Sequence, residues 1–329
     1  MHKEIVVLGD GGWGTTCAIL LSKKGHNVTL WGAFPEHIAL LRSERVNRKF
    51  LPGVEIPDTV RFASSKNELS DKAVYVVAIP SKHLRKTIAG FKGKIKGGLI
   101  SLTKGIETET LLRPSEILGE VLGNPKIAVL SGPSISFEVA RSLPTTVVAA
   151  SRDASFANEA QSIFTTENFR VYTTDDLAGV ELGGALKNII AIAAGIADGL
   201  GFGVNTKAAL LTRGLVEIIR LGVKVGARKE TFFGLSGLGD LATTCMSKHS
   251  RNRKVGEEIG GGKKLKSVLT ESEMISEGVT TTKSAYELSK KFAIEMPITE
   301  KIYEVLYKNK EPKVAVTELM KRSLKAELI

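Results

Sequence analysis

A glycine-rich turn set between a strand and a helix constrains this chain more than any other feature. Gly9-Asp10-Gly11-Gly12-Trp13-Gly14 follows the apolar run Glu4–Leu8 and opens a helical periodicity over Thr15–Lys24. A strand that turns through glycines into a helix is the first part of a βαβ unit. Gly9, Gly11 and Gly14 take the three fixed places of G-x-G-x-x-G. Glycines at those places permit a tight turn, close approach of a pyrophosphate and close helix–strand packing, while the helix N-terminus attracts the anion. A glycine turn with no ligand is the bland alternative; the position directly after the first strand favours a dinucleotide.

The alternation continues up to residue 174. Short β-branched or apolar runs recur at Asn27–Trp31, Val74–Ile79, Leu99–Leu102, Ile127–Leu130, Thr145–Ala149 and Phe169–Tyr172, with helical periodicities at Pro35–Val46, His83–Ala89 and Ser115–Leu122 among them. Strands alternating with helices predict an α/β fold with a doubly wound, mostly parallel sheet of Rossmann type. From Asp175 the strands stop. Helical patterns follow at 175–198, Thr206–Val225, Ser276–Phe292, Pro297–Lys308 and Val314–Leu324. The expected organisation is a dinucleotide-binding domain over residues 1–174 and an all-α domain over 175–329, where substrate binding and catalysis are placed.

Composition narrows the function classes. With 43% hydrophobic and 25% charged residues in 329, the chain has the make-up of an ordinary globular protein. The apolar stretch from Ile189 is cut at Asp198, so no membrane span is expected, and the N-terminal run is too short for a signal peptide. Two cysteines, Cys17 and Cys245, make no disulfide framework, which points to a reducing, cytoplasmic setting. The net charge of +11 favours an anionic partner. No zinc-finger, ribonucleoprotein or helix-turn-helix pattern accompanies it, so nucleic acid is not expected. The five histidines show no ligand spacing, and no metal is expected.

One part of the dinucleotide fingerprint is missing. The second strand should end in an acidic residue that holds a ribose hydroxyl, or offer a basic one to a 2′-phosphate. Here Trp31-Gly32-Ala33-Phe34 offers neither, and Glu36 and His37 come two or three places late. NAD and NADP are both expected to serve. A different anomaly lies at Gly179–Gly195, a helix apolar on nearly every side that carries Lys187 and Asn188 at its middle. A buried ammonium is costly unless paired or neutralised. Burial also lowers a lysine pKa towards the range of a general acid or base. A stem that packs while its head reaches water is the bland alternative.

Three further clusters have site-like chemistry. Ser101-Leu102-Thr103-Lys104-Gly105 and Ser131-Gly132-Pro133-Ser134 fall at the C-terminal ends of strands, where doubly wound sheets bind ligands. Gly237-Leu238-Gly239-Asp240-Leu241-Ala242-Thr243-Thr244-Cys245 precedes Ser250-Arg251-Asn252-Arg253, which opens a helix with donors suited to phosphate. Each alone reads equally well as a turn or cap. Together with the glycine turn, the 180–188 segment and Ala197-Asp198-Gly199-Leu200-Gly201-Phe202-Gly203, they make the chain resemble NAD(P)-dependent glycerol-3-phosphate dehydrogenases of the soluble bacterial type, from Gly9 to about Gly278.

The resemblance implies reversible hydride transfer between dihydroxyacetone phosphate and sn-glycerol 3-phosphate, supplying glycerophospholipid synthesis in the cytoplasm, with a homodimer as the expected assembly. It implies that Lys187 is the catalytic acid/base and that Lys104 touches both cofactor and substrate. Asp240, Thr244 and Asn188 match polar groups around that lysine. Ser250, Arg251 and Asn252 match contacts to the substrate's phosphate and hydroxyls, Arg251 also reaching the cofactor. Gly132 and Ser134 match substrate-side positions. Gly9, Gly11, Gly12, Trp13 and Gly14 match the pyrophosphate loop, and Ser136, Ile275 and Glu277 match further cofactor contacts. Ala33-Phe34 departs from the family pattern. Dehydrogenases of the 3-hydroxyacid or 6-phosphogluconate type are disfavoured, because they resemble a pattern with Asn four places after the lysine, where this chain has Ala191. A dinucleotide-sensing binding protein would leave Lys187, Asp240 and Arg251 without a purpose.

Overall fold

Strands rich in valine and isoleucine on both faces must be covered on both sides. The computed structural model, which describes residues 2–271, 276–324 and 326–327, arranges them so. Among the described residues, eight strands, β1 (Glu4–Leu8), β2 (Asn27–Trp31), β3 (Arg61–Ala63), β4 (Val74–Val77), β5 (Leu99–Ser101), β6 (Ile127–Ser131), β7 (Thr145–Ala150) and β8 (Phe169–Thr174), form one sheet in the order β3-β2-β1-β4-β5-β6-β7-β8. Every neighbouring pair is parallel except β6 with β7. The helices between them are α1 (Gly12–Lys23), α2 (Pro35–Glu44), α3 (Ser81–Ala89), α4 (Pro114–Leu122), α5 (Ser136–Ala140) and α6 (Ala154–Phe164). Strand order reverses between β1 and β4, and the glycine turn leaves β1 at that point. Open α/β sheets bind ligands at this switch.

After β8 the chain is helical: α7 (Leu177–Gly199), α8 (Val204–Lys224), α9 (Asp240–Met246), α10 (Arg251–Gly260), α11 (Leu265–Glu271), α12 (Glu277–Lys291), α13 (Pro297–Tyr307) and α14 (Pro312–Met320). The α/β-then-all-α reading therefore holds. Two compact units emerge, one of Met1–Thr103 with Pro114–Leu177, the other of Lys104–Arg113 with Ala178–Ile329. The ten residues from Lys104, which the sequence division leaves in the N-terminal part, belong to the helical unit. Ile106 enters its apolar core, and Ser284 Oγ donates to the Ile106 carbonyl at 3.0 Å.

Helix α7 is the axis of the helical unit. Every residue from Gly179 to Ala197 is buried. By length and hydropathy it could cross a membrane, but the residues of its apolar window are all buried. Glycines set how closely α10 approaches it. A Cβ on Gly195 would fall on the Arg253 carbonyl, and one on Gly256 on the Ile192 carbonyl. The two backbones touch where both chains lack side chains. Glu217 of α8 ties in α13: its buried carboxylate accepts from the Ile298 and Thr299 N–H groups at 2.6 and 3.0 Å. It caps a helix whose own N-cap residue, Met296, supplies no side-chain acceptor.

The α7–α10 contact yields a stability prediction with a definite sign. On an open helix Gly195→Ala would gain about 1 kcal/mol from helix propensity. Here the methyl must displace a backbone carbonyl, and overpacking a core costs about 1–3 kcal/mol even against movable side chains. Gly195→Ala is expected to lower the unfolding free energy by about 2 kcal/mol in denaturant titration. A stabilised variant would contradict the close approach.

Candidate active site

The glycine turn is shaped by its neighbours, with one exception. Gly9 has φ of +116°, open to glycine at little cost, and a Cβ there would lie 2.6 Å from the Ala78 carbonyl oxygen just beyond β4. A Cβ on Gly14 would fall on the Gly9 carbonyl. At Gly11, by contrast, φ is −72° and a Cβ would meet nothing within 4 Å. Neither strain nor packing requires glycine there, so the room it leaves suits a group from outside the chain. Gly11 also caps α1 without a side chain, which leaves the first-turn N–H groups facing that room. The chemistry fits a pyrophosphate. Buried Asn47 steadies the turn, donating from Nδ2 to the Asp10 carbonyl at 2.9 Å and to Thr15 Oγ1 at 2.8 Å.

In the same unit, Ser101 and Ser131 end neighbouring strands β5 and β6. Their buried hydroxyls are two of the four buried side-chain polar atoms without a hydrogen-bond partner among the described residues. Gly132 follows with φ of +149°, its missing Cβ making way for Val147, and Ser134 Oγ donates to the Gly132 carbonyl at 2.9 Å. Ser136 begins α5, and its carbonyl accepts from Thr16 Oγ1 of α1 at 3.2 Å. Trp13 is partly buried against the sheet core.

The helical unit brings together three of the ionisable residues singled out in the sequence, Lys104, Lys187 and Asp240. Lys187 Nζ donates to Asp240 Oδ1 and, at 2.7 Å, to Thr244 Oγ1. Thr244 Oγ1 in turn donates to the Asp240 carbonyl at 2.7 Å, one turn back along α9, which turns its lone pair to the lysine. Lys104 Nζ takes the other carboxylate oxygen, Asp240 Oδ2, at 2.5 Å. Asp240 and Lys187 are deeply buried, whereas the Lys104 side chain is 19% exposed, so the cluster meets solvent on the Lys104 side. Burial drives the Lys187 ammonium below its ordinary lysine range; Asp240 opposes the shift and Lys104 adds to it, leaving the group at about 7.

Asn188 lies one residue on and faces a different network. Its Oδ1 accepts from Asn252 Nδ2 at 2.9 Å, while Asn252 Oδ1 accepts from Ser276 Oγ at 2.6 Å and the Gly278 N–H at 2.9 Å. Ser250 caps α10, its Oγ accepting from the Arg253 N–H at 3.2 Å. Arg251 is exposed, and Arg253 is held by Asp198 Oδ2 at 2.7 Å. Glu277 opens α12, and Ile275 lies outside the described residues. The sequence reading missed the ion pair between Arg113 and Glu181 (2.7 Å), both buried or nearly so, and Ser276. The acidic residue in the apolar run before Lys187 was the available signal for the first; nothing local marked the second.

Comparisons with known proteins agree along the whole chain. Family models for the N-terminus and the C-terminus of NAD-dependent glycerol-3-phosphate dehydrogenase match residues 4–157 and 176–317. The chain is 49% identical to glycerol-3-phosphate dehydrogenase [NAD(P)+] of Citrifermentans bemidjiense, covering 99% of both chains. It is 49% identical to that of Geobacter sulfurreducens, again over 99% of each. Among solved structures, glycerol-3-phosphate dehydrogenase of Coxiella burnetii superposes with a TM-score of 0.94 at 38% identity, over 98% of this chain and 99% of that one.

Asp240 offers a direct test of the cluster. Removing the shared carboxylate leaves two ammonium groups facing each other, one of them fully desolvated. Breaking a buried pair by deleting one partner costs about 3–5 kcal/mol. Asp240→Ala is expected to lose stability in that range in chemical denaturation at pH 6, where Lys187 of the wild type carries its proton, and to lose less at pH 8. A loss under 1 kcal/mol would mean that the lysines do not depend on it.

Proposed function

The chain belongs to the NAD-dependent glycerol-3-phosphate dehydrogenase family, and from that premise we propose that it interconverts dihydroxyacetone phosphate and sn-glycerol 3-phosphate with Lys187 as the acid/base. The observation that carries this reading is the orientation of the Lys187 ammonium. Two of its three N–H bonds are committed to Asp240 and Thr244, which aims the third. A donor fixed in a desolvated setting costs no reorganisation when charge develops on an acceptor.

The bound nicotinamide supplies a hydride to the carbonyl carbon, or receives one in reverse. In reduction, Lys187 hydrogen-bonds the ketone oxygen, stabilises the negative charge that grows there and delivers the proton, leaving a hydroxyl. Lys104 adds positive field through the shared carboxylate, since two lysines and one aspartate leave the cluster with net positive charge. Asp240 is a positioning group: it directs both ammonium groups. Arg251, exposed at the start of α10, suits the substrate phosphate, whose binding supplies orientation. Asn188 and Asn252 hold α7, α10 and the start of α12 in register around the lysine. The glycine turn receives the pyrophosphate, with Trp13 and Ser136 as neighbouring contacts. Glycerophospholipid supply, a cytoplasmic location and a homodimer complete the proposal.

Oxidation of NADH or NADPH on addition of dihydroxyacetone phosphate tests the activity. Lys187→Met is expected to lower kcat by at least about 100-fold, the low end for a general acid, with dinucleotide affinity kept. Because reduction uses the protonated lysine, kcat/KM for dihydroxyacetone phosphate is expected to fall as pH rises through about 7. Oxidation of glycerol 3-phosphate needs the neutral amine and is expected to rise over the same interval. Near-normal turnover of the methionine variant, or a flat profile in both directions, would remove Lys187 from the role.

A further inference from the structure

The acidic residue that the second strand lacks is present in space. A Cβ on Gly32, the residue directly after β2, would lie 2.7 Å from Asp10 Cγ. The carboxylate of the glycine turn therefore sits over the end of β2, where a dinucleotide-binding fold holds the adenosine ribose. It is fixed there from several sides. His37 of α2 contacts Asp10 Oδ2 through Nδ1 at 2.7 Å, and the His37 ring stands edge-on to Phe50 with centroids 5.7 Å apart. The Asp10 carbonyl accepts from Asn47 Nδ2 at 2.9 Å and from Thr15 Oγ1 at 3.4 Å. Both side chains of the pair remain partly open, at 20% exposure for His37 and 16% for Asp10. Ala33 and Phe34, the places where a ribose-reading residue is sought, are exposed and carry no charge.

We infer that Asp10, oriented by His37, is the cofactor-specificity residue: its carboxylate accepts the ribose hydroxyls of NAD(H) and repels the 2′-phosphate of NADP(H). The inference rests on the dinucleotide reading above and adds a preference that Ala33-Phe34 leaves open. The histidine engages Oδ2 and leaves Oδ1 for a hydroxyl donor. A phosphate at the same place would face an anion held in position by its own turn, a repulsive element of the kind that specificity uses. Histidine beside the carboxylate softens the repulsion without replacing it, so discrimination is moderate.

Dissociation constants for NADH and NADPH, measured by calorimetric titration at fixed ionic strength, test this without turnover. The wild-type protein is expected to bind NADH about tenfold more tightly than NADPH. Asp10→Asn keeps the shape and the contact to His37 and is expected to reduce that ratio about tenfold, chiefly by tighter NADPH binding. Asp10→Ala is expected to do the same. His37→Ala, which unmasks the carboxylate, is expected not to favour NADPH. A ratio within twofold of wild type in both Asp10 variants overturns the assignment, as does an equal loss of both affinities, which would mark Asp10 as scaffolding for the turn. A wild-type protein that binds neither dinucleotide overturns the dinucleotide reading itself, and the two failures are thus distinct.

Discussion

The Asp240 carboxylate, shared between Lys104 and Lys187, is the constraint around which the helical unit is built. A buried ammonium on α7 is affordable only with an anion against it, and that anion comes from the first turn of α9, 53 residues away in sequence. The second oxygen of Asp240 then draws Lys104, which explains why a short segment next to β5 groups with the helices. The far end of that segment repeats the device, Arg113 pairing with Glu181 on the same helix. The Lys104–Asp240 pair ties the segment to α9, Arg113–Glu181 ties it to α7, and Ile106 buries it in the core of the helical unit. The positive cluster is thereby a by-product of packing as much as of chemistry, and this is why its geometry is so well determined.

Close backbone packing serves the same end. Glycines at 195 and 256 let α10 lie directly on α7, so Asn252 can reach Asn188 in a buried contact and Arg253 can reach Asp198 in a part-buried one. A bulkier pair would separate the helices by the width of a side chain and cut these links. The glycine excess over the usual proportion, 33 in 329, thus reflects two separate demands. In the glycine turn it makes room for backbone at Gly9 and Gly14 and leaves open space at Gly11. Along α7 and α10 it brings helices together. The two uses are indistinguishable by composition and become distinct only through position.

What the sequence made legible follows from which forces are local. Apolar runs marked seven of the eight strands found among the described residues: β4 and β5 are buried on both faces and read as unbroken runs, whereas β8 alternates buried and exposed positions. The three-residue strand β3 left none: its pairing with β2 supplies what its own length cannot. Helix α5 escaped notice for a related reason, since the five residues Ser136–Ala140 are too few to show a helical period; α6 was missed although its buried residues Phe156, Ala157, Ala160, Ile163 and Phe164 do follow one. Lys187 was legible because its charge contradicts its surroundings. Its aspartate and threonine were identified by resemblance, their contacts with it being set by a fold that joins distant segments. The Arg113–Glu181 pair shows the limit: each residue alone is ordinary, and only the pairing is informative.

Asp10 illustrates the same limit from the opposite side. A fingerprint read along the chain looks for an acid at the end of β2 and finds Ala33 and Phe34. What a ribose hydroxyl requires, however, is an acceptor at a place, and the chain can deliver it from any segment that reaches there. The glycine turn passes over the end of β2 because β1 and β2 are parallel neighbours in register from Glu4–Asn27 to Leu8–Trp31. A residue two positions beyond β1 therefore stands beside one just beyond β2. Asp10 and Gly32 have this relation, and the absence of a side chain at Gly32 is what lets the carboxylate occupy the site. The deficit along the sequence and the glycine beside it are two sides of one substitution of position, with His37, late by the linear count, placed to hold the result.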